Sequence, residues 1–182
     1  MMDLGIQDKN RQAKEVFDMG DYAEAVKLYD TNLLLDPGNE EAFIYRGIAL
    51  AYESTMENFM IDEALEACAN GFYTYGLKRN REELYHLVYH ASKELIHMTV
   101  GLLDRVLSFY ENTVGENVTY DRCIGHLEEI KMVQEFVANL ISEDMINKDL
   151  PFREVKLLAL QALMDTNLQI CRKKMTGVSF GM

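Results

Sequence analysis

The stretch from Gly20 to Gly47 constrains the fold of this chain more than any other. Ala25 and Tyr29 lie four residues apart, so both side chains face the same side of a helix. Pro37 follows twelve residues after Ala25 and ends that helix, because its ring and its missing N–H cannot continue the helical hydrogen bonds. A second apolar helical pattern begins soon afterwards and reaches Gly47. The stretch therefore predicts two short helices joined by a tight turn.

Small and apolar residues return at a fixed distance along this part of the chain. Ala13 and Gly47 are 34 residues apart, and so are Val16 and Leu50. An alanine, an aromatic residue one turn later, a proline at the turn and this period together resemble the tetratricopeptide repeat. The resemblance implies a scaffold of paired helices over about residues 6–78.

The second of the two repeats departs from the usual pattern. Its alanine, Ala64, comes five residues later than the period requires, which puts extra residues in the turn Ser54–Ile61. Cys68 and Gly76 take the places of the aromatic residue and the proline, and Arg46 stands where a leucine is usual. We therefore expect one regular repeat and one degenerate repeat.

Hydrophobic periodicity predicts an all-α fold of about seven helices. After residue 79, apolar residues recur in steps of three and four, as in amphipathic helices, and no strand pattern is present. The last three helices are predicted to be longer than the first four. The predicted spans are about residues 6–19, 22–35, 40–53, 80–113, 120–142 and 149–174, and the fourth helix is expected after the turn Ser54–Ile61.

Two repeats are too few to stand alone. A repeat of this type cannot bury its apolar face by itself, and about three are needed for stability. We therefore expect residues 79–175 to pack on residues 6–78 and to form one unit with them. The alternative is two independent lobes joined near Gly76–Asn80.

The charge of the chain bears on its partners. The net charge is −12, and residues 1–78 hold 15 acidic but only 6 basic side chains. This balance disfavours binding to nucleic acid or to an anionic membrane surface. It is compatible with a protein partner of basic character, although an acidic surface also serves solubility alone.

Cysteine spacing and hydropathy bear on the compartment. Cys68, Cys123 and Cys171 are far apart and form no C-x-x-C motif, which is typical of reduced thiols in a cytoplasm. No run approaches 18 apolar residues, so no membrane span is predicted. The first residues also lack the apolar run of an export signal.

The resemblance also implies where a partner would bind. Proteins of this kind usually hold a peptide or a helix on the concave surface made by the first helix of each pair. The matching positions are Asn10, Lys14, Phe17, Asp18, Ile44, Ile48, Ala51 and Tyr52. The alternative is that the C-terminal helices of the chain itself occupy this groove. The basic cluster with which some relatives hold a terminal carboxylate is absent, so that mode is not predicted.

Metal binding and catalysis have weaker signals. His86 and His90 lie four apart on one predicted helix, with His97 further along, a spacing that can bind zinc. Surface histidines beside glutamates are commoner than zinc sites, and we predict no metal and no cofactor.

Cys123 and His126 are three residues apart, but no third group is evident that would orient a nucleophile and its base. We therefore predict that the chain is not an enzyme.

An aromatic cluster lies around Gly76. It could form a protein-binding patch, because aromatic side chains are enriched at interface cores, or it could seal two helical layers together. Its members are Phe72, Tyr73, Tyr75, Tyr85 and Tyr89.

These observations favour a non-enzymatic scaffold or adaptor that binds a peptide or a helix of another protein. The alternative function is a homo-oligomeric structural or regulatory module. Its two copies would pair through the apolar stripe of the long helix 80–113, which leaves a homodimer open.

Overall fold

The computed structural model describes residues 4–78, 81–112, 117–148 and 150–178 of the 182-residue chain. Within these ranges every regular element is a helix and there is no strand, which confirms the predicted all-α fold. The eight helices are α1 (Leu4–Asp18), α2 (Tyr22–Leu35), α3 (Glu40–Glu53), α4 (Ile61–Lys78), α5 (Arg81–Asn112), α6 (Asn117–Leu140), α7 (Glu143–Lys148) and α8 (Leu150–Val178).

The first turn follows from a glycine and an aspartate. Gly20 has a φ of +82°, which glycine adopts at little cost. Its N–H donates to the Phe17 carbonyl at 2.9 Å and the Asp21 N–H donates to the Val16 carbonyl at 3.3 Å, so α1 ends in a Schellman motif. The Asp21 side chain then accepts from the Glu24 N–H at 3.2 Å and caps α2.

The second turn contains the proline that marks the repeat. Helix α2 ends at Leu35, and Asn39 caps α3 by accepting from the Ala42 N–H at 3.1 Å. The predicted spans of α2 and α3 agree with the structure at both ends, because each boundary carries its own local signal.

Helices α3 and α4 pack closely because two glycines leave out side chains. A Cβ added at Gly47 would lie 2.5 Å from the Ala64 carbonyl oxygen and 2.6 Å from Cys68 Sγ. A Cβ added at Gly71 would lie 2.5 Å from Ile44 Cγ1. The structure thus confirms that a small residue at position 47 lets the next helix approach.

The turn between α3 and α4 is organised by Ser54. Its Oγ accepts from the Met60 N–H at 3.1 Å, and its own N–H donates to the Ala51 carbonyl at 3.3 Å. Within the turn, Thr55 Oγ1 accepts from the Asn58 N–H at 3.1 Å. The residues that lengthen the second repeat therefore form a hydrogen-bonded loop before Ile61.

Helices α6 and α8 pack against each other in antiparallel directions. Lys156 Nζ donates to the Ile141 carbonyl at 2.8 Å, and further along α8 Lys174 Nζ lies 3.0 Å from Glu128 Oε1. The apolar core beside these contacts includes Leu127, Ile130 and Val137 of α6.

Two details of the C-terminal helices differ from the prediction. Helix α7 is a short element that the sequence pattern did not predict. Ser142 Oγ accepts from the Met145 N–H at 3.4 Å at its start. The Met145 side chain is buried. In the sequence, Val155, Leu158, Ala159, Ala162 and Leu163 form an apolar stripe that predicts an inward-facing Leu158. Leu158 is instead 54% exposed, because Val155 and Ala159 define the buried side.

The chain divides into two compact units, Met1–Ala91 and Ser92–Met182, and the boundary falls within α5. The expected boundary was at residues 78 and 79. Packing of residues 79–175 on the repeats as one unit stays a prediction. In the part of the chain that the structure describes, no helix combines the length and the apolar character that crossing a membrane requires.

Candidate functional site

An open cleft runs along α1 in the first unit. Its volume is about 530 Å³. Six of its lining residues come from α1 and one comes from α3. They are Gln7, Asn10, Arg11, Lys14, Glu15, Asp18 and Glu41. Three of the seven are acidic and two are basic, so the lining is polar and its charges are mixed.

Three buried asparagines hold the inner end of this cleft. Asn10 Nδ2 donates to Asn39 Oδ1 at 3.0 Å and to Glu41 Oε2 at 3.4 Å. Asn10 Oδ1 accepts from Asn32 Nδ2 and from Asn39 Nδ2, both at 3.0 Å. Because Asn39 also caps α3, this network ties α1, α2 and the start of α3 together. It fixes where Glu41 meets the face of α1.

Lys14 lies close to one carboxylate and two aromatic rings. Its Nζ pairs with the Asp18 carboxylate one turn later. The same nitrogen lies 5.3 Å from the ring centroid of Phe17 and 5.1 Å from that of Tyr45, within the range of cation–π attraction. The cation is therefore held at the cleft by neighbours on both α1 and α3.

An aromatic cluster supports this part of α1 from beneath. Phe17 is buried, and its ring meets those of Tyr22 and Tyr45 edge to face at 5.3 Å and 5.7 Å. Tyr22 stacks on Tyr52 with ring centroids 4.3 Å apart. Such pairs stabilise beyond the area that they bury. The cluster fixes the end of α1 where Lys14 and Asp18 lie.

The structure divides the predicted binding residues into two groups. Asp18 is exposed and Lys14 is half-buried where they line the cleft, and Asn10 lines it from a buried position. Phe17 is buried and Tyr52 is half-buried, both in the aromatic cluster.

The expected apolar floor of the groove needs a correction. Ile44, Ile48 and Ala51 are fully buried, so they offer no apolar surface to a partner. The physical reason is clearest at Ile44, which packs where Gly71 of α4 has no side chain.

Four lining residues were missed by the sequence reasoning. Gln7, Arg11 and Glu15 follow each other at intervals of four residues, so helical spacing from the predicted positions could have found them. Glu41 lies about thirty residues away and reaches the cleft through the Asn39 cap. No local pattern in the sequence indicates that contact.

The histidine pattern does not assemble a metal site in the described ranges. His86, His90 and His97 are all exposed along α5. Within those ranges, no three histidine, cysteine, aspartate or glutamate side chains lie close enough together to hold a metal ion.

Members of the predicted aromatic cluster differ in exposure. Phe72 is buried and Tyr73 is 72% exposed. Tyr75, Tyr85 and Tyr89 are half-buried. The cluster therefore presents one prominent ring to solvent, at Tyr73.

Cys123 and His126 are both buried, and burial shifts the pKa of each side chain. Burial raises the pKa of the Cys123 thiol, so the thiol stays protonated. Burial, aided by Arg122, lowers the pKa of His126. His126 Nδ1 lies 3.3 Å from the Tyr110 hydroxyl, a contact between α6 and α5.

Comparison with protein-family models, with curated proteins and with solved structures finds no match for this chain. The likeness to tetratricopeptide repeats thus stays an interpretation of the sequence pattern.

Proposed function

We propose that the first unit is a tetratricopeptide-like scaffold that binds an extended peptide or a helix of another protein in the α1 cleft. One observation carries the proposal: three predicted binding residues line the same cleft. Asn10, Lys14 and Asp18 are the positions that the repeat pattern assigns to a binding surface, and all three line the cleft.

The chemistry of the lining favours a polar partner segment. With Ile44 and Ile48 buried, affinity comes from hydrogen bonds and ion pairs rather than from an apolar floor. Three carboxylates against two cations, within an acidic half of the chain, favour a segment that carries lysine or arginine.

Pairing of two copies through α5 has less support. The apolar stripe that would form that contact is largely buried within the chain, as the side chains of Val88, Leu95, Leu102 and Val106 show. Burial leaves this stripe unavailable to a second copy.

The proposal assigns the chain no catalytic role and places it in a cytoplasm. Burial raises the pKa of Cys68 to about 12 and raises that of Cys123, so neither thiol is activated. The three cysteines are unpaired, which suits a reducing compartment.

A peptide selection tests the proposal. Random peptides displayed on phage are selected on the immobilised full chain, and the affinity of each enriched peptide is measured by fluorescence anisotropy. Enriched peptides should be basic, and Glu15→Lys should weaken them about tenfold, because one lining carboxylate becomes a cation.

The matched control is Glu66→Lys. Glu66 is exposed on α4 outside the cleft, and its substitution changes the net charge equally. If both variants weaken binding alike, long-range charge rather than the cleft binds the peptide. If Glu15→Lys binds like the wild type, the cleft assignment fails.

A further inference from the structure

Helix α8 carries apolar side chains on two opposite sides. The side that faces the core buries Phe152, Val155, Ala159, Ala162, Thr166 and Ile170. The opposite side bears a second row, named here the α8 stripe. Its members are Leu157, Leu160, Met164, Leu168, Cys171 and Met175. At about 3.6 residues per turn, the stripe lies about half a turn from the buried row. Its leucines and methionines are between 40% and 72% exposed, and Cys171 is exposed too.

The α8 stripe has a regular period. Leu157 and Leu168 are 11 residues apart, and the two pairs that follow them along the helix keep the same interval. An 11-residue repeat corresponds to about 3.67 residues per turn, close to the helix itself, so the stripe stays on one side of a nearly straight helix. Single exposed apolar residues are normal, whereas a continuous row of six marks an interaction surface.

We propose that a second copy of this chain covers the α8 stripe, with the two α8 helices antiparallel about the level of residue 166. In this arrangement Leu157 faces Met175 of the other copy, and Met164 faces Leu168. Each contact occurs twice across a two-fold axis, which makes the stripe complementary to itself. The stripe is continuous over about five helical turns, so one register pairs all its members.

Charge favours the antiparallel arrangement over the parallel one. Arg172, Lys173 and Lys174 follow each other near the end of α8. A parallel pair would set two such clusters side by side, which repel each other. An antiparallel pair separates the two clusters by about 20 Å along the axis, at about 1.5 Å per residue.

The size of the contact predicts a reversible dimer. Two stripes brought together bury on the order of 1,000 Å² of mostly apolar surface, which is the lower end for a specific interface. Dimerisation should therefore depend on concentration.

Light scattering on the full chain tests the proposal. The weight-average mass should rise from that of a monomer to that of a dimer over about 1 µM to 1 mM. The variant Met164→Glu/Leu168→Glu changes two exposed residues, so it should keep its helical circular dichroism. Its dimer dissociation constant should rise on the order of 100-fold or more, because charges would be buried at the centre of the contact.

The matched control is Leu34→Glu, a change on α2 at a residue that is 84% exposed. It should dimerise like the wild type. A wild-type chain that stays monomeric throughout, as it would if a different protein or a membrane covered the stripe, overturns the proposal. So does a Met164→Glu/Leu168→Glu variant that dimerises normally.

Cysteine cross-linking tests the direction of the helices. In a Cys171→Ser background, proteins with Met164→Cys and with Leu168→Cys are oxidised separately and as a mixture. The antiparallel pair predicts that the mixture gives the most disulfide dimer, because residues 164 and 168 face each other. Rapid Cys171–Cys171 cross-linking in the wild type would contradict the antiparallel arrangement, which keeps these thiols about 15 Å apart along the axis.

Discussion

The close approach of α3 and α4 gives a sharp stability prediction. In Gly47→Ala the new Cβ would lie 2.5 Å from the Ala64 carbonyl oxygen, whereas ordinary contact begins at 3.4 Å. The helices would have to separate by about 1 Å, and overpacking of this kind costs about 1–3 kcal/mol. Alanine recovers about 0.5–1 kcal/mol of helix propensity. We expect the free energy of unfolding to fall by about 1 kcal/mol, within a range of about 0–2.5 kcal/mol.

Gly125→Ala is the matched control. Gly125 is also within a helix, but no described atom lies within 4 Å of a Cβ added there. Only the propensity gain remains, so this variant should be about 0.5–1 kcal/mol more stable than the wild type. Urea unfolding followed by far-ultraviolet circular dichroism measures both variants against the wild type.

A second substitution tests whether the Ala64 backbone or the Cys68 side chain opposes the new Cβ. Cys68 Sγ lies 2.6 Å from the added Cβ, but a side chain can turn away, whereas the Ala64 carbonyl belongs to the helix backbone. Adding Cys68→Ala to Gly47→Ala should therefore leave most of the loss in place. If Gly47→Ala is as stable as Gly125→Ala, α3 and α4 do not approach as closely as the structure describes.

Three further predictions concern buried polar groups. Asn10→Ala should lower the free energy of unfolding by about 2–4 kcal/mol in thermal or urea melts, because two other buried asparagines lose their partner; a change below about 1 kcal/mol would contradict the network. Tyr29→Phe should leave stability unchanged or raise it by about 1 kcal/mol, since the buried Tyr29 hydroxyl has no hydrogen-bond partner among the described residues; a clear loss in the same melts would refute this. The pKa of His126 lies below its ordinary 6.5. As pH falls below 6.5 the unfolded chain takes up this proton first, so stability should fall, and His126→Asn should flatten that slope in urea melts at several pH values.

Local signals explain what the sequence predicted well. The ends of α2 and α3 were predictable because Asp21, Pro37 and Asn39 each act on the backbone within a few residues. The small residue at position 47 was recognisable because the 34-residue period places it opposite the next helix. Predictions of this kind need only spacing and the chemistry of one residue.

Long-range packing explains what the sequence could not predict. The burial of Ile44 depends on Gly71, which lies on the neighbouring helix. Arg46 departs from the repeat pattern, yet its guanidinium joins Asp30 of α2 and Glu63 of α4, at 2.9 Å in the second case. In both cases the partner lies 16 or more residues away, where helical spacing carries no information.

The two units treat their buried polar groups differently, and this bears on the α8 stripe. Among the described residues, the first unit has one buried side chain with an unpartnered polar atom, Tyr29, and the second has three, which are Ser92 and, within the α6–α8 pair, Gln134 and Thr166. Both lie about halfway between the Lys156–Ile141 and Lys174–Glu128 contacts, so they occupy the same level of the α6–α8 pair. Each such group costs about 1–3 kcal/mol. Burying several hundred Å² of apolar surface on the α8 stripe, at about 25 cal/mol per Å², contributes more than one such group costs. This comparison is made before the entropy of association is counted. A second copy would therefore stabilise the unit that satisfies its core least well.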